Sequence, residues 1–131
     1  MSTTPRKLPT LLLTALVAFV MIAGGAAHLA TPAQFVPLVP AFLPASAVIA
    51  VTGVVQVAVG LAALIPRTRK WGGLAFAIVC IGYLPIHLWD YVRPDPAIAP
   101  PVAATVRVVV QLLFIAAGWA LWRRAAATPL H

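Results

Sequence analysis

Acidic residues are almost absent from this chain of 131 amino acids: there are two, Asp90 and Asp95, against nine lysines and arginines. Charged residues of both signs make up 8% of the sequence, whereas soluble domains carry roughly 25%. From Leu8 to Pro66 there is no Asp, Glu, Lys or Arg at all. With 63% hydrophobic residues, the chain cannot cover a water-facing surface, so we expect it to lie in a lipid bilayer.

The sequence lacks the residue patterns that several kinds of chemistry require. A single cysteine, Cys80, excludes both an internal disulfide and a CxxC redox pair, and we expect it to pack as a small buried residue. There is no nucleophile–base arrangement, phosphate-binding loop or zinc-ligand spacing. The net charge of +7 would suggest nucleic acid in a soluble protein, but here the basic residues flank apolar runs. We therefore expect no nucleic-acid partner and no catalytic residues acting in this chain alone.

Prolines and basic residues divide the apolar sequence into four runs, each about 20 residues long, which is enough to cross the hydrocarbon core. Four prolines are expected to break any helix in TPAQFVPLVPAFLP, residues 31–44. The runs are continuous rather than alternating, which favours helices because an open sheet edge cannot be satisfied in lipid. The sequence therefore predicts one all-α membrane domain, residues 1–131. Its bundle of four transmembrane helices covers about 8–29, 45–65, 71–91 and 102–122.

The basic residues predict how this bundle is oriented. The first run has features of a signal peptide, but its length favours a retained helix. One side of the bundle carries seven cations and the other side Arg93, with Arg107 just inside the fourth helix. Positive loops stay cytoplasmic, so we expect a multi-pass protein of the cell membrane with both termini cytoplasmic. The seven cations are Arg6, Lys7, Arg67, Arg69, Lys70, Arg123 and Arg124.

Polar side chains from all four predicted helices fall in the outer half of the bundle. Such residues are costly in a membrane unless they have partners, so they mark candidate sites. Depth follows from a rise of about 1.5 Å per residue. It places two histidines and an aspartate near the outer surface, an arginine roughly two turns deep, and two glutamines near the middle. We predict a ligand pocket here, with the proline-rich segment as its lid; the candidate residues are His28, Gln56, His87, Asp90, Arg107 and Gln111.

Each candidate also has an interpretation without a ligand. Arg107 could reach the outer headgroups, pair with Asp90 or bind a ligand, and all three remain open. Gln56 and Gln111 could instead form hydrogen bonds between helices.

Two histidines at one depth could also hold a haem or a copper ion. No HxxxH pair or methionine cluster supports such a centre at His28 and His87. The sequence therefore requires no cofactor and no metal, and haem and quinone stay as candidates.

The order of glycines, prolines and histidine over most of residues 24–89 resembles the DoxX-like family of small four-helix membrane proteins. A glycine and a histidine close the first helix, a proline-rich segment ends in Leu-Pro, and glycines bracket the second helix. An apolar-Pro-x-x-Arg turn follows, and a proline lies near the end of the third helix. These features fall at Gly25, His28, Pro32, Pro40, Leu43, Pro44, Gly53, Gly60, Ile65, Pro66, Arg69 and Pro85.

The resemblance implies a four-helix fold and a link to quinone-dependent redox chemistry, since the family is named after such a membrane subunit. Many members carry a glutamate at the position of Gln56 and an asparagine at that of His87. The resemblance therefore does not imply proton transfer by a buried carboxylate here.

Two functions follow as expectations. The first is an accessory or anchor subunit of a membrane complex, in which quinone-linked redox chemistry is one option. The alternative is a binding protein or oxidoreductase that holds a quinone or lipid in the outer pocket. The expected partners are the lipid bilayer and either another membrane protein or a second copy of the chain.

Overall fold

The chain forms four long α-helices and one short 3-10 helix in the computed structural model, which describes the backbone of residues 4–128 and the side chains of residues 7–128. No strand occurs in this range. Each α-helix is long and apolar enough to cross a membrane, so the prediction of an all-helical fold with four candidate membrane spans is confirmed. The side chain of Arg6 lies outside the described ones. The elements are α1 (Thr4–Ala30), η1 (Pro32–Leu38), α2 (Ala45–Leu64), α3 (Arg69–Trp89) and α4 (Val102–Ala126).

The ends of the helices differ from the predicted spans by a few residues. Helix α4 continues to Ala126, beyond the predicted end at 122, because arginine is a good helix former and a helix need not end where the apolar run ends. Helix α3 ends at Trp89 rather than at 91. The chain then turns through hydrogen bonds that span three residues instead of four, from Tyr91 N to Leu88 O and from Val92 N to Trp89 O.

The proline-rich segment is more regular than predicted. Residues Pro32–Leu38 form a 3-10 helix that contains Pro37, so the expectation that the prolines exclude all helical structure was wrong. Proline lacks only its own N–H, and the turn is held by donors that remain, such as Gln34 N to Thr31 O at 3.2 Å. Helix η1 buries none of its residues fully. It lies across one end of the bundle, against α1 and α2.

The four α-helices pack as two close hairpins, α1 with α2 and α3 with α4. Glycines allow both close approaches: a Cβ added at Gly25 would lie 2.6 Å from Gly53 O, and one added at Gly118 would lie 2.7 Å from Gly73 O. The contact between α2 and α3, which joins the hairpins, is less extensive. Space between the helices is therefore to be expected where the hairpins meet.

The apolar core fills one half of the bundle, the half that carries the α2–α3 turn, the start of α1 and the end of α4. Phe76, Ala63 and Leu121 are completely buried there. Cys80 belongs to the same cluster and is 2% exposed, which confirms its prediction as a buried core residue. The opposite half, beneath η1, contains most of the polar side chains. The remaining members of the core cluster are Val17, Met21 and Val59.

Candidate functional site: a cavity between the hairpins

A cavity of about 200 Å³ lies beneath η1, where the two hairpins meet. All four α-helices contribute to its walls, and η1 with the following Val39 contributes the cover. The apolar lining residues are Phe35, Leu38, Val39, Val48, Ile49 and Ile86, and the polar ones are His28, Thr52, Tyr83, His87 and Arg107. A largely apolar space with a few polar groups is the usual form of a small-molecule site.

Three of the six candidate residues line this cavity: His28 from α1, His87 from α3 and Arg107 from α4. The structure thus brings together side chains that are 20 to 79 positions apart in the sequence. The other three candidates, Gln56, Asp90 and Gln111, are buried beside the cavity and do not line it. Each of these three residues makes a different contact, described below.

His28 is fixed by contacts on two sides. Its Nδ1 lies 2.7 Å from the carbonyl oxygen of Gly24, one helical turn earlier, and a carbonyl can only accept, so Nδ1 carries the proton. In the neutral imidazole Nε2 is then left as a hydrogen-bond acceptor. The ring stacks on Phe35 with 3.8 Å between centroids and 23° between planes. This stacking attaches η1 to the end of α1.

Gln56 acts through Tyr83 rather than on the cavity directly. Its Nε2 donates a hydrogen bond of 2.7 Å to the hydroxyl oxygen of Tyr83, which does line the cavity. That bond leaves the hydroxyl proton of Tyr83 available for another acceptor. The other amide atom, Gln56 Oε1, is buried without a partner in the described part of the chain. It lies against Gly24, where an added Cβ would be 2.8 Å from it.

Asp90 is the counter-ion of Arg107. Arg107 Nη1 donates to Asp90 Oδ2 at 2.9 Å, and the carboxylate side chain is only 1% exposed. The second oxygen, Oδ1, accepts from the backbone N–H of Ala97 at 2.9 Å and lies 3.6 Å from Arg93 Nη1. Of the three interpretations of Arg107, pairing with Asp90 is therefore the one observed. Both carboxylate oxygens are occupied, so Asp90 has little capacity left for a ligand.

Gln111 joins α4 to α3. Its Nε2 donates to the backbone carbonyl of Cys80 at 2.7 Å, and the residue is 6% exposed. This bond lies below the cavity, toward the apolar core. The interpretation as a hydrogen bond between helices is the observed one for this glutamine.

His87 presents an unpaired polar atom next to the cavity. The residue is 9% exposed, and its Nδ1 is buried without a hydrogen-bond partner among residues 7–128. Leaving a buried polar atom unpaired costs about 1–3 kcal/mol. Within the described residues, no group of three His, Cys, Asp or Glu side chains could hold a metal ion.

Two polar lining residues, Thr52 and Tyr83, were not among the candidates. Tyr83 precedes His87 by one helical turn and so shares its face of α3, which is a signal that could have identified it. Thr52 precedes Gln56 in the same way on α2. Its hydroxyl donates to Val48 O at 2.8 Å within the same helix, so Thr52 needs no partner from another helix and gives no sign of a site in the sequence.

Fold and site together define a class: small four-helix proteins suited to a membrane, with a cavity near one end of the bundle. A family model described as a domain of unknown function, DUF8561, matches residues 16–124. This match covers most of the chain, which therefore belongs to that family. It includes every residue that lines the cavity. No curated protein and no solved structure matches the chain.

Proposed function

We propose that this protein binds a small, uncharged, ring-sized molecule in the cavity between its hairpins, with a quinone head group as the leading candidate and part of a lipid as the other. The observation that carries the proposal is the cavity itself, into which α1, α2, α3 and α4 each contribute at least one polar side chain. The position of His87 supports it, because its side chain lines the cavity and an imidazole can donate or accept a hydrogen bond.

The volume of the cavity limits the size of the ligand. An engineered apolar cavity of about 150 Å³ binds benzene. A space of about 200 Å³ therefore has room for one substituted ring but not for a whole lipid molecule. A molecule with a longer apolar tail must place that tail outside the cavity, among the lipid chains.

The polar groups limit the charge and the functional groups of the ligand. Arg107 is the one arginine or lysine that lines the cavity, and it already pairs with Asp90, so an anionic ligand would have to compete with Asp90 for it. A neutral oxygen acceptor can instead use an N–H of Arg107 or the hydroxyl of Tyr83. The acceptor Nε2 of His28 favours a hydroxyl on the ligand. Carbonyl and hydroxyl groups on one ring, as in quinones and their reduced forms, meet these requirements.

The proposal includes a position in the cell. The seven basic residues at the end of the bundle opposite η1 support an orientation with both termini cytoplasmic. In that orientation the cavity opens in the outer half of the cell membrane.

The resemblance to the DoxX-like family stays a prediction, and it supports a quinone as the ligand. The role of an accessory or anchor subunit also stays a prediction, with another membrane protein or a second copy of the chain as the partner. A subunit role does not conflict with ligand binding, since a subunit can carry a site.

A first experiment asks what the protein carries when it is extracted in mild detergent. Native mass spectrometry together with an absorption spectrum should show one small molecule per chain. The protein in nanodiscs is then titrated with a benzoquinone that has a decyl tail, and binding is followed by quenching of tryptophan fluorescence. We expect saturable binding to the wild-type protein.

A matched pair of variants on α2 locates the site. Val48→Phe places a ring inside the cavity, whereas Val51→Phe makes the same change on a side chain that is 62% exposed on the outside of the bundle. We expect Val48→Phe to weaken binding of the probe at least about tenfold and Val51→Phe to leave it unchanged. Equal binding by the two variants would place the ligand elsewhere. Absence of any ligand, with another polypeptide recovered instead, would favour the subunit prediction.

A further inference from the structure

We propose that Arg93 is a positioning residue that holds η1 closed over the cavity and thereby sets the rate at which molecules enter and leave it. This inference rests on the proposed function for its biological meaning. The claim that Arg93 ties η1 to the other hairpin can be tested without a ligand.

Helix η1 belongs by sequence and by packing to the α1–α2 hairpin. Its attachment to the other hairpin is a hydrogen bond of 2.9 Å from Arg93 Nη1 to the carbonyl oxygen of Pro37. Among residues 7–128 this is the one hydrogen bond that connects η1 to α3, α4 or the segment between them. Since Phe35 and Leu38 of η1 line the cavity, the bond joins the two hairpins across its cover.

Arg93 is held in place for this contact. Its guanidinium carbon lies 4.2 Å from the centroid of the Trp89 ring, a cation–π arrangement, and the side chain is 14% exposed. Nη1 also lies 3.6 Å from Asp90 Oδ1. A planar guanidinium can stack on an aromatic ring and donate in its own plane at the same time, which the ammonium group of a lysine cannot do.

The same carboxylate connects this contact to the interior of the cavity. Asp90 receives Arg107 on Oδ2 and faces Arg93 with Oδ1. The carboxylate is also fixed by the N–H of Ala97, so its position does not depend on Arg93 alone. Loss of Arg93 should therefore free η1 while the pair of Asp90 with Arg107 and the fold of the bundle persist.

Without Arg93, η1 keeps its stacking of Phe35 on His28 and opens more often. A hydrogen bond from a charged donor is strong enough that its loss should raise the open fraction by about tenfold. We measure opening by alkylation of a cysteine inside the cavity, Thr52→Cys, in a background with Cys80→Ala. Iodoacetamide, a small water-soluble reagent that alkylates the thiolate with loss of iodide, is added to the protein in nanodiscs, and the rate of modification is followed by mass spectrometry.

In this background Arg93→Gln should react about tenfold faster than the parent. Arg93→Lys should fall between the two because it retains the charge but not the planar contact. The matched control is Arg67→Gln, an exposed arginine at the opposite end of the bundle, which should leave the rate unchanged. Equal rates for Arg93→Gln and the parent would overturn the inference. If Arg93→Gln does not fold, the comparison of Arg93→Lys with the parent decides in the same way.

The alkylation rate separates this inference from the proposed function. Faster alkylation with no binding of the decyl benzoquinone would support the role of Arg93 and refute the ligand. Normal binding with an unchanged alkylation rate would retain the ligand and refute the role of Arg93. When both hold, dissociation of the probe should accelerate in Arg93→Gln by a factor similar to that of alkylation.

Discussion

Replacing Asp90 by asparagine should destabilise the protein because it leaves Arg107 without its counter-ion. The asparagine side chain has nearly the same shape and can keep one acceptor bond, either to Ala97 N or to Arg107. What it removes is the negative charge between Arg107 and Arg93, which lie 2.9 Å and 3.6 Å from it. Two cations would then face each other across a neutral group that is almost completely buried.

The magnitude follows from the burial of the two partners. Removing one member of a buried ion pair costs about 3–5 kcal/mol. Insertion scales give about 2.5–3.5 kcal/mol for an arginine at the centre of a membrane helix and less near the surface. The side chain of Arg107 is 18% exposed, so part of its charge can be solvated. We therefore expect Asp90→Asn to lower the free energy of unfolding by about 2–4 kcal/mol.

Unfolding by sodium dodecyl sulfate in mixed micelles, followed by tryptophan fluorescence, measures this loss. The double variant Asp90→Asn with Arg107→Met removes both charges of the closer pair and should return to within about 1 kcal/mol of the wild type. The remaining cation, Arg93, lies farther from Asp90, is partly exposed and keeps its contact with Trp89. The control is Asp95→Asn, an exposed carboxylate near the same loop, with an expected change below about 0.5 kcal/mol. A loss below about 0.5 kcal/mol for Asp90→Asn, or a double variant as unstable as the single one, would refute the reasoning.

The remaining predictions use the same unfolding assay. Gly25→Ala should cost about 1–3 kcal/mol, because its Cβ would lie 2.6 Å from the backbone of α2, whereas Gly82→Ala, with no atom within 4 Å of its Cβ, should change stability by less than about 1 kcal/mol. Equal effects at these two positions would contradict the close packing of α1 on α2. Gln111→Leu should cost about 0.6–1.7 kcal/mol through loss of its bond to Cys80 O, and no loss would mean that this bond does not stabilise the α3–α4 pair.

The four helices could be predicted because lipid imposes simple rules on a chain. A span needs length and apolarity, and both are visible in sequence windows. The ends of the helices could not be predicted as well, because hydropathy marks the span and not the helix. Arg123 and Arg124 end the apolar run but continue α4. The proline-rich segment was predicted as irregular because proline breaks α-helices, yet a short 3-10 helix tolerates Pro37.

The depth of each candidate residue along its helix could be predicted, but the direction in which its side chain points could be predicted only in part. Counting residues along each helix placed His28 and His87 near the outer surface and Arg107 roughly two turns deeper, and the structure has all three lining the cavity. How each helix is rotated against its neighbours depends on packing contacts that are not visible in one sequence. Gln111 illustrates this limit: its partner is the backbone carbonyl of Cys80, and a backbone carbonyl leaves no signal in the sequence.

The pattern of paired and unpaired atoms distinguishes the polar half of the bundle from its apolar core. In a bundle suited to lipid, each buried polar group needs a partner, and most have one: Arg107 has Asp90, and the Nδ1 of His28 has a carbonyl of its own helix. Two buried side-chain atoms among residues 7–128 have none, Gln56 Oε1 and His87 Nδ1. His87 lines the cavity, and Gln56 is bonded to Tyr83, which also lines it. Neither residue belongs to the apolar core. Apolar residues at these two positions would avoid the cost of an unpaired buried atom, about 1–3 kcal/mol each, so the polar residues around the cavity are consistent with the binding role proposed above.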